Sequence, residues 1–108
     1  MSFEVVSSPV FDRAVKRLAK RYPSMRDDVA ELIEGLTHDP VQGTALGKDC
    51  YKVRMAIHSK GKGRSGGARV ITCVKVVRHT VILLTVYDKS ETGDIPNKEL
   101  AKLIEMFT

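Results

Sequence analysis

The sequence has few of the residues that disulfide-stabilised and membrane proteins depend on. Its 108 residues contain no tryptophan and two cysteines, Cys50 and Cys73, which form no C-x-x-C motif and have no histidine pair nearby. We therefore expect free thiols in a reducing cytoplasm, and neither zinc nor another cofactor. The longest apolar run, Val81 to Leu84, is far too short to cross a bilayer, and the N-terminal stretch lacks the features of a secretory signal.

Acidic residues are in the minority, and one part of the chain nearly lacks them. Eighteen Lys and Arg against thirteen Asp and Glu give a formal charge of +5. Between Lys48 and Arg78 there are nine basic residues and a single acid, Asp49. This distribution favours an anionic partner such as a nucleic acid.

Hydrophobic periodicity predicts one α+β domain over residues 1–108, in the order β-α-α-β-β-β-α. We expect a helical hairpin and a C-terminal helix packed on a small antiparallel sheet. Ser8-Pro9 begins the first helix and Tyr22-Pro23 ends it, and Ser24 begins the second. The other predicted segments are a strand at 3–6, a loop at 37–47, strands at 50–58, 68–77 and 80–87, a polar turn at 88–94 and a helix from Pro96.

The loop at residues 60–67, KGKGRSGG, contains the spacing G-x-G-x-x-G of nucleotide-binding loops. A dinucleotide site needs a helix after this motif, whereas a strand, ARVITCV, follows here. The other motifs of protein kinases are absent, and so is the Gly-Lys-Ser/Thr of a Walker A loop. The loop is then either a flexible connection or part of a nucleic-acid site.

The strands beside this loop favour the nucleic-acid site. Strand alternation puts Lys52 and Arg54 on one face, and Arg69 projects from the next strand. Tyr87 and Lys89 come from the third. Like charges on neighbouring strands repel each other, so a bound polyanion would explain their placement. A tyrosine among cations offers a stacking surface, which suits single-stranded RNA or DNA better than a duplex.

Three features resemble the RelE/ParE superfamily of bacterial type II toxins, most closely its HigB-like, RelE-type branch. They are the element order, the stretch YKVRMAIHSKGKGRSGGARVI at 51–71, and VILLTVYDKSETGDIPNKEL at 81–100. The resemblance implies a RelE-like fold and a ribosome-dependent mRNA endonuclease. It also implies an antitoxin partner, of helix-turn-helix or other DNA-binding type, that holds the toxin inactive.

The resemblance also assigns roles to individual residues in a reaction that needs no metal. In it, the 2′-hydroxyl attacks the adjacent phosphodiester and gives a cyclic phosphate and a free 5′-hydroxyl. Arg69 would stabilise the transition state, and Lys52 or Lys62 would act as base. Tyr87 would stack on the scissile nucleotide. The residues expected to bind RNA are Arg54, Lys60, Arg64, Lys89 and His58.

Three alternatives stay open at this point. His58 and His79 are either acid–base groups or exposed bystanders. ParE-type members of the superfamily inhibit DNA gyrase and cut no RNA, although Arg69, Tyr87 and Lys89 favour the nuclease branch. A basic RNA-binding module without catalysis is the third function that the sequence permits.

Overall fold

A five-stranded mixed sheet lies at the centre of the protein, for which the computed structural model describes residues 2–61 and 63–107. The strand order is β1-β5-β4-β3-β2, with β1 parallel to β5 and every other pair antiparallel. The α+β class and the antiparallel order of the last three strands are confirmed. The strands are β1 (Glu4–Ser7), β2 (Thr44–Gly47), β3 (Cys50–Met55), β4 (Ala68–Lys75) and β5 (Thr80–Asp88).

The prediction of a loop over residues 37–47 is wrong at its end, where β2 pairs with β3. Thr-Ala-Leu-Gly is too short and too exposed to carry a clear strand pattern. Its pairing depends on the turn at Lys48 and Asp49, which both have positive φ angles, and on Gly43. A Cβ atom at Gly43 would lie 2.2 Å from the Lys52 carbonyl oxygen, so only glycine lets the two chains approach.

The helices begin and end close to the predicted residues. The Ser8 hydroxyl accepts a hydrogen bond of 3.1 Å from the amide of Phe11 at the start of α1. A short helix, α3, lies within the predicted polar turn, where Asp88 accepts from the amide of Ser90. None of the described helices is long and apolar enough to span a bilayer. They are α1 (Pro9–Arg21), α2 (Met25–His38), α3 (Lys89–Thr92) and α4 (Asn97–Phe107).

Two apolar clusters cover the two faces of the sheet. The hairpin of α1 and α2 packs on one face, where Leu18 and Met25 are fully buried against residues such as Val70. On the other face, α4 places Leu103 and Ile104 over part of the sheet. Further along this second face the apolar residues give way to basic ones. The strand residues that are buried on the second face are Cys50, Ile71, Cys73, Leu84 and Tyr87.

The two cysteines lie under α4 and face each other. Cys50 of β3 is opposite Cys73 of β4, and both are free and buried. Burial and the neighbouring thiol raise the pKa of Cys50, so it stays protonated and is a poor nucleophile. In residues 2–61 and 63–107, no three side chains of the metal-binding types are grouped as a metal site.

Candidate nucleic-acid interface

Four side chains of the expected site share one face of the sheet. Arg54 of β3 is opposite Arg69 of β4, and Arg69 is opposite Tyr87 of β5. Lys52 lies two residues before Arg54 and therefore on the same face. Arg54 is exposed to solvent, whereas Arg69 and Tyr87 are buried. The register thus brings these residues together as the strand pattern predicts, while their roles remain predictions.

Tyr87 and Lys52 are joined by a carboxylate that the sequence did not point to. The Tyr87 hydroxyl donates a hydrogen bond of 2.8 Å to Asp94, and Lys52 Nζ lies 3.3 Å from the same oxygen. Burial and the bond to Asp94 raise the pKa of Tyr87 to about 12, so the phenol is a donor at neutral pH and not a base. The bonds from Tyr87 and Lys52 lower the pKa of Asp94. We call Tyr87, Asp94 and Lys52 the exposed triad.

Arg69 holds the loop that precedes its own strand. Its guanidinium donates to the carbonyl oxygens of Arg64 at 3.1 Å and of Ser65 and Ala68 at 3.2 Å. These contacts fix the second half of the KGKGRSGG loop against β4. In this arrangement Arg69 shapes the loop with three of its five N–H donors, and the predicted contact with a phosphate would use the other two.

Lys60, at the other end of the loop, forms a buried ion pair. Its Nζ is 2.8 Å from Asp88, and the two side chains are 8% and 0% exposed. The Tyr22 hydroxyl also donates to Asp88, and Lys60 lies 5.3 Å from the centre of the Tyr22 ring. Burial alone would raise the pKa of Asp88, but the bonds from Lys60, Tyr22 and Ser90 outweigh it and hold that pKa well below its usual value. We call Tyr22, Asp88 and Lys60 the anchor triad.

The contacts of His58 could not be predicted from the sequence. Its Nδ1 bonds to the carboxylate of Asp28, and its backbone amide bonds to the other oxygen of that carboxylate. Asp28 lies in the first turn of α2, where an exposed negative charge would be expected to interact with the helix dipole. Instead its side chain is 2% exposed, while that of His58 is 62% exposed. The hydrogen bond to Asp28 raises the pKa of His58 above its usual 6.5.

The remaining predicted residues surround this site without forming one cluster. Arg64 is exposed and lines a cleft with Arg54 and His58. Lys89 is half-buried at the start of α3, and its amide donates to the Gly67 carbonyl. Lys62 lies outside the described residues. His79 is at the far hairpin and packs its ring edge-on against Phe3, away from the loop.

Sequence reasoning missed the acidic residues that organise the basic ones. Asp28, Asp88 and Asp94 each bond to a cation distant in the chain, at separations of 30, 28 and 42 residues. Only Asp88 carried a signal, since it directly follows Tyr87 at the strand end. Lys52, His58 and Lys60 are therefore each held in place by a carboxylate, whereas Arg54, Arg64, Arg69 and Lys89 form no ion pair with a described carboxylate.

A model of one protein family matches residues 8–108, and its description is the RelE toxin of the RelE/RelB toxin–antitoxin system. The chain belongs to the RelE toxin family. This membership agrees with the resemblance in the strand and loop motifs. The RelE match begins at Ser8, the cap of α1, and includes every residue of both triads.

Solved structures of RelE toxins share the fold. A double arginine mutant of Escherichia coli RelE in the free state has a TM-score of 0.65 at 17% identity, with 100% of both chains covered. The RelBE2 toxin–antitoxin complex of Mycobacterium tuberculosis gives 0.61 at 15% identity, covering 84% of this chain and 95% of that one. Isolated Escherichia coli RelE gives 0.57 at 16% identity, covering 98% and 99%. The RelE-like fold is thus confirmed, and at these identities the likeness concerns the fold alone.

Proposed function

We propose that this protein is a toxin that cleaves mRNA on the ribosome, inhibits translation and arrests growth. The observation that carries the proposal is the row of Lys52, Arg54 and Tyr87 across one sheet face, in a chain of the RelE family. Arg54 is exposed and has no carboxylate partner among the described residues, so it is ready to bind an anion. Lys52 is held by Asp94, which a phosphate group can replace.

The chemistry fits a phosphodiester. An arginine offers several donors in one plane and remains charged, so Arg54 can bind the non-bridging oxygens as negative charge develops on them. Lys52 lies on the same face and is the candidate to assist at the 2′-oxygen. Tyr87 contributes an aromatic ring for the nucleotide, and its raised pKa keeps its proton in the hydrogen bond to Asp94. Attack by the 2′-hydroxyl then gives a cyclic phosphate and a 5′-hydroxyl without a metal.

The site also favours a substrate delivered in a fixed conformation. Two clefts among the described residues, of about 370 and 450 Å³, are open to solvent. A shallow basic face gains affinity from phosphates but orients a flexible strand weakly. Dependence on the ribosome follows naturally, because the ribosome already holds the mRNA in an extended form.

Induced expression in a bacterium tests this function. We expect growth arrest, with primer extension showing cuts inside translated regions. Arg54→Ala should lower the cleavage rate by about 100-fold, as losing one preorganised donor to a transition state does. Because Arg54 is exposed, this variant should remain folded. Lys102→Ala, an exposed change on α4, is the matched control and should leave the arrest intact.

The other outcomes separate the alternatives. Arrested cells with intact transcripts and double-strand breaks would point to gyrase inhibition. Harmless expression together with salt-dependent RNA binding would leave a binding module without catalysis. Cleavage of free RNA at the same rate as ribosome-bound mRNA would remove the ribosome from the proposal while keeping the nuclease.

We further propose that an antitoxin encoded beside this chain neutralises it. A relative of the same fold from Mycobacterium tuberculosis was solved as a toxin–antitoxin complex. The formal charge of +5 and the basic face favour a partner with an acidic segment. Co-expression with the neighbouring small reading frame should restore growth and yield a complex that dissociates at high salt. We expect that frame to encode a helix-turn-helix or other DNA-binding protein.

A further inference from the structure

His58 and Asp28 form a dyad that the expected site does not account for. The two oxygens of Asp28 have separate partners. One accepts from the Ser24 hydroxyl at 2.7 Å and from the His58 amide at 3.2 Å, and so ties α2 to the loop. The other bonds to the imidazole Nδ1. The backbone anchoring is complete without the imidazole, so holding the ring is a second task of this carboxylate.

The geometry leaves one ring nitrogen available. With Nδ1 bonded to the buried carboxylate, the ring is oriented and Nε2 is its remaining polar atom. Within residues 2–61 and 63–107, no group forms a hydrogen bond with Nε2, and most of the side chain is exposed. A histidine whose Nδ1 is fixed by a carboxylate is the arrangement that proteins use to transfer a proton at Nε2.

The dyad opens into a cleft of about 450 Å³ that Arg54 and Arg64 also line. Arg54 is the exposed cation of the row that includes Tyr87. Lys52 precedes Arg54 by two residues and His58 follows it by four, so a phosphate bound to Arg54 can have the two on different sides. In-line displacement at phosphorus needs its base and its acid on opposite sides of the phosphate.

The charges around His58 favour its protonated form. Asp28 lies in direct contact, and Glu31 adds a weaker attraction to the imidazolium. Glu34 of α2 also lines the cleft, while Arg54 and Arg64 oppose these acids from β3 and the loop. The net effect is the raised pKa described above, which favours the protonated ring.

We propose that His58 is the general acid of the cleavage and that Asp28 is its positioning residue. This inference rests on the proposed nuclease function. The 2′-oxygen forms a bond to phosphorus and loses its proton to a base, for which Lys52 in its neutral amine form is the candidate. The bond from phosphorus to the 5′-oxygen breaks, and the Nε2 proton passes to that oxygen. The products are a 2′,3′-cyclic phosphate and a 5′-hydroxyl, and water reprotonates the neutral imidazole.

A sulfur leaving group tests the proton transfer directly. The experiment uses ribosomes programmed with a short mRNA that carries either the ordinary 5′-oxygen or a bridging 5′-sulfur at the cleavage position. A thiolate leaves without protonation. His58→Ala should therefore slow cleavage of the oxygen substrate by about 100-fold or more, but leave the sulfur substrate within about threefold of wild type. His58→Gln should behave in the same way.

The matched control is His38→Ala. His38 also pairs with a carboxylate, Glu34, but both side chains are mainly exposed and the ring is not in the cleft. This variant should cleave both substrates as the wild type does. Circular dichroism and urea unfolding of each variant confirm that a loss of rate does not come from a loss of fold.

Asp28→Asn tests the positioning role through the pH profile. The wild-type rate should fall at high pH as His58 loses its proton, and Asp28→Asn should move that fall to lower pH without abolishing cleavage. Equal losses of His58→Ala on both substrates, or no loss on either, would overturn the inference while leaving the nuclease function intact. A wild-type protein that cuts neither mRNA on the ribosome would overturn the proposed function itself, and this inference with it.

Discussion

The two triads have the same three residue types, Tyr, Asp and Lys, but their ion pairs differ in exposure to water. In the anchor triad, the Lys60 and Asp88 side chains are 8% and 0% exposed. In the exposed triad, Lys52 and Asp94 are 27% and 60% exposed. A buried pair cannot lose one partner without leaving an unpaired charge in the interior, whereas water can replace a partner at the surface. One triad is therefore suited to hold the loop, and the other to exchange its carboxylate for a ligand.

Removing the lysine from each triad should give the largest contrast. Lys60→Met leaves the Asp88 carboxylate buried with Tyr22 and Ser90 as its donors, and we expect a loss of about 3 kcal/mol in the free energy of unfolding. Lys52→Met is the matched change in the exposed triad, and its loss should be close to the error of a urea titration. Similar losses for the two variants would show that exposure does not separate the triads.

Gly67, at the end of the KGKGRSGG loop, should tolerate no side chain. A Cβ atom at Gly67 would lie 2.3 Å from the Met55 carbonyl oxygen, so Gly67→Ala must push two strands apart. We expect it to cost about 2 kcal/mol of unfolding free energy. Gly61 has open space around its Cα and a φ of 71°, so Gly61→Ala should cost about 1 kcal/mol through backbone strain alone. Urea unfolding of the two variants compares them, and an equal cost would contradict the close approach at Gly67.

The pH dependence of stability should have opposite signs at His58 and in the anchor triad. The pKa of His58 is raised on folding, so its contribution is present below the usual value near 6.5 and is lost as pH rises above it. The pKa of Asp88 is lowered, so its contribution is present above the usual 3.8 and is lost as pH falls below it. We expect His58→Gln to flatten the decline in unfolding free energy as pH rises above about 6.5 and to leave the acid side unchanged. A decline of equal slope in the variant would rule out His58 as its source.

The smallest expected effect is a shift in the titration of one phenol in the exposed triad. Asp94→Asn removes the negative charge that accepts the Tyr87 hydrogen bond, so the pKa of Tyr87 should fall from about 12 towards its usual value of 10. Phenolate absorbance measured against pH detects the change, with Tyr87→Phe identifying the signal. Burial of the ring remains, so the shift should be partial. An unchanged titration would mean that burial alone sets this pKa.

Part of the site could be predicted from the sequence because strand alternation is local. The placement of Lys52 and Arg54 on one face follows from their spacing. The apolar runs after the loop predict strands, and so the sheet face to which Arg69 and Tyr87 point. The ends of α1 were likewise predictable, from the cap Ser8 and from Tyr22-Pro23. The strand β2 could not be predicted, since its four residues carry no pattern and depend on pairing with β3.

The sequence by itself determined the α+β order, the shared basic face and the exclusion of a nucleotide-binding loop, because each depends on neighbours within a few residues. Only the tertiary structure decided which lysine is buried, which arginine is exposed and which histidine has a carboxylate partner. Lys60 meets Asp88 across 28 residues and His58 meets Asp28 across 30. Local periodicity says which way a side chain points, but not which distant group it meets. The first contact forms where the loop folds onto the end of β5, and the second forms where α2 packs beside the loop.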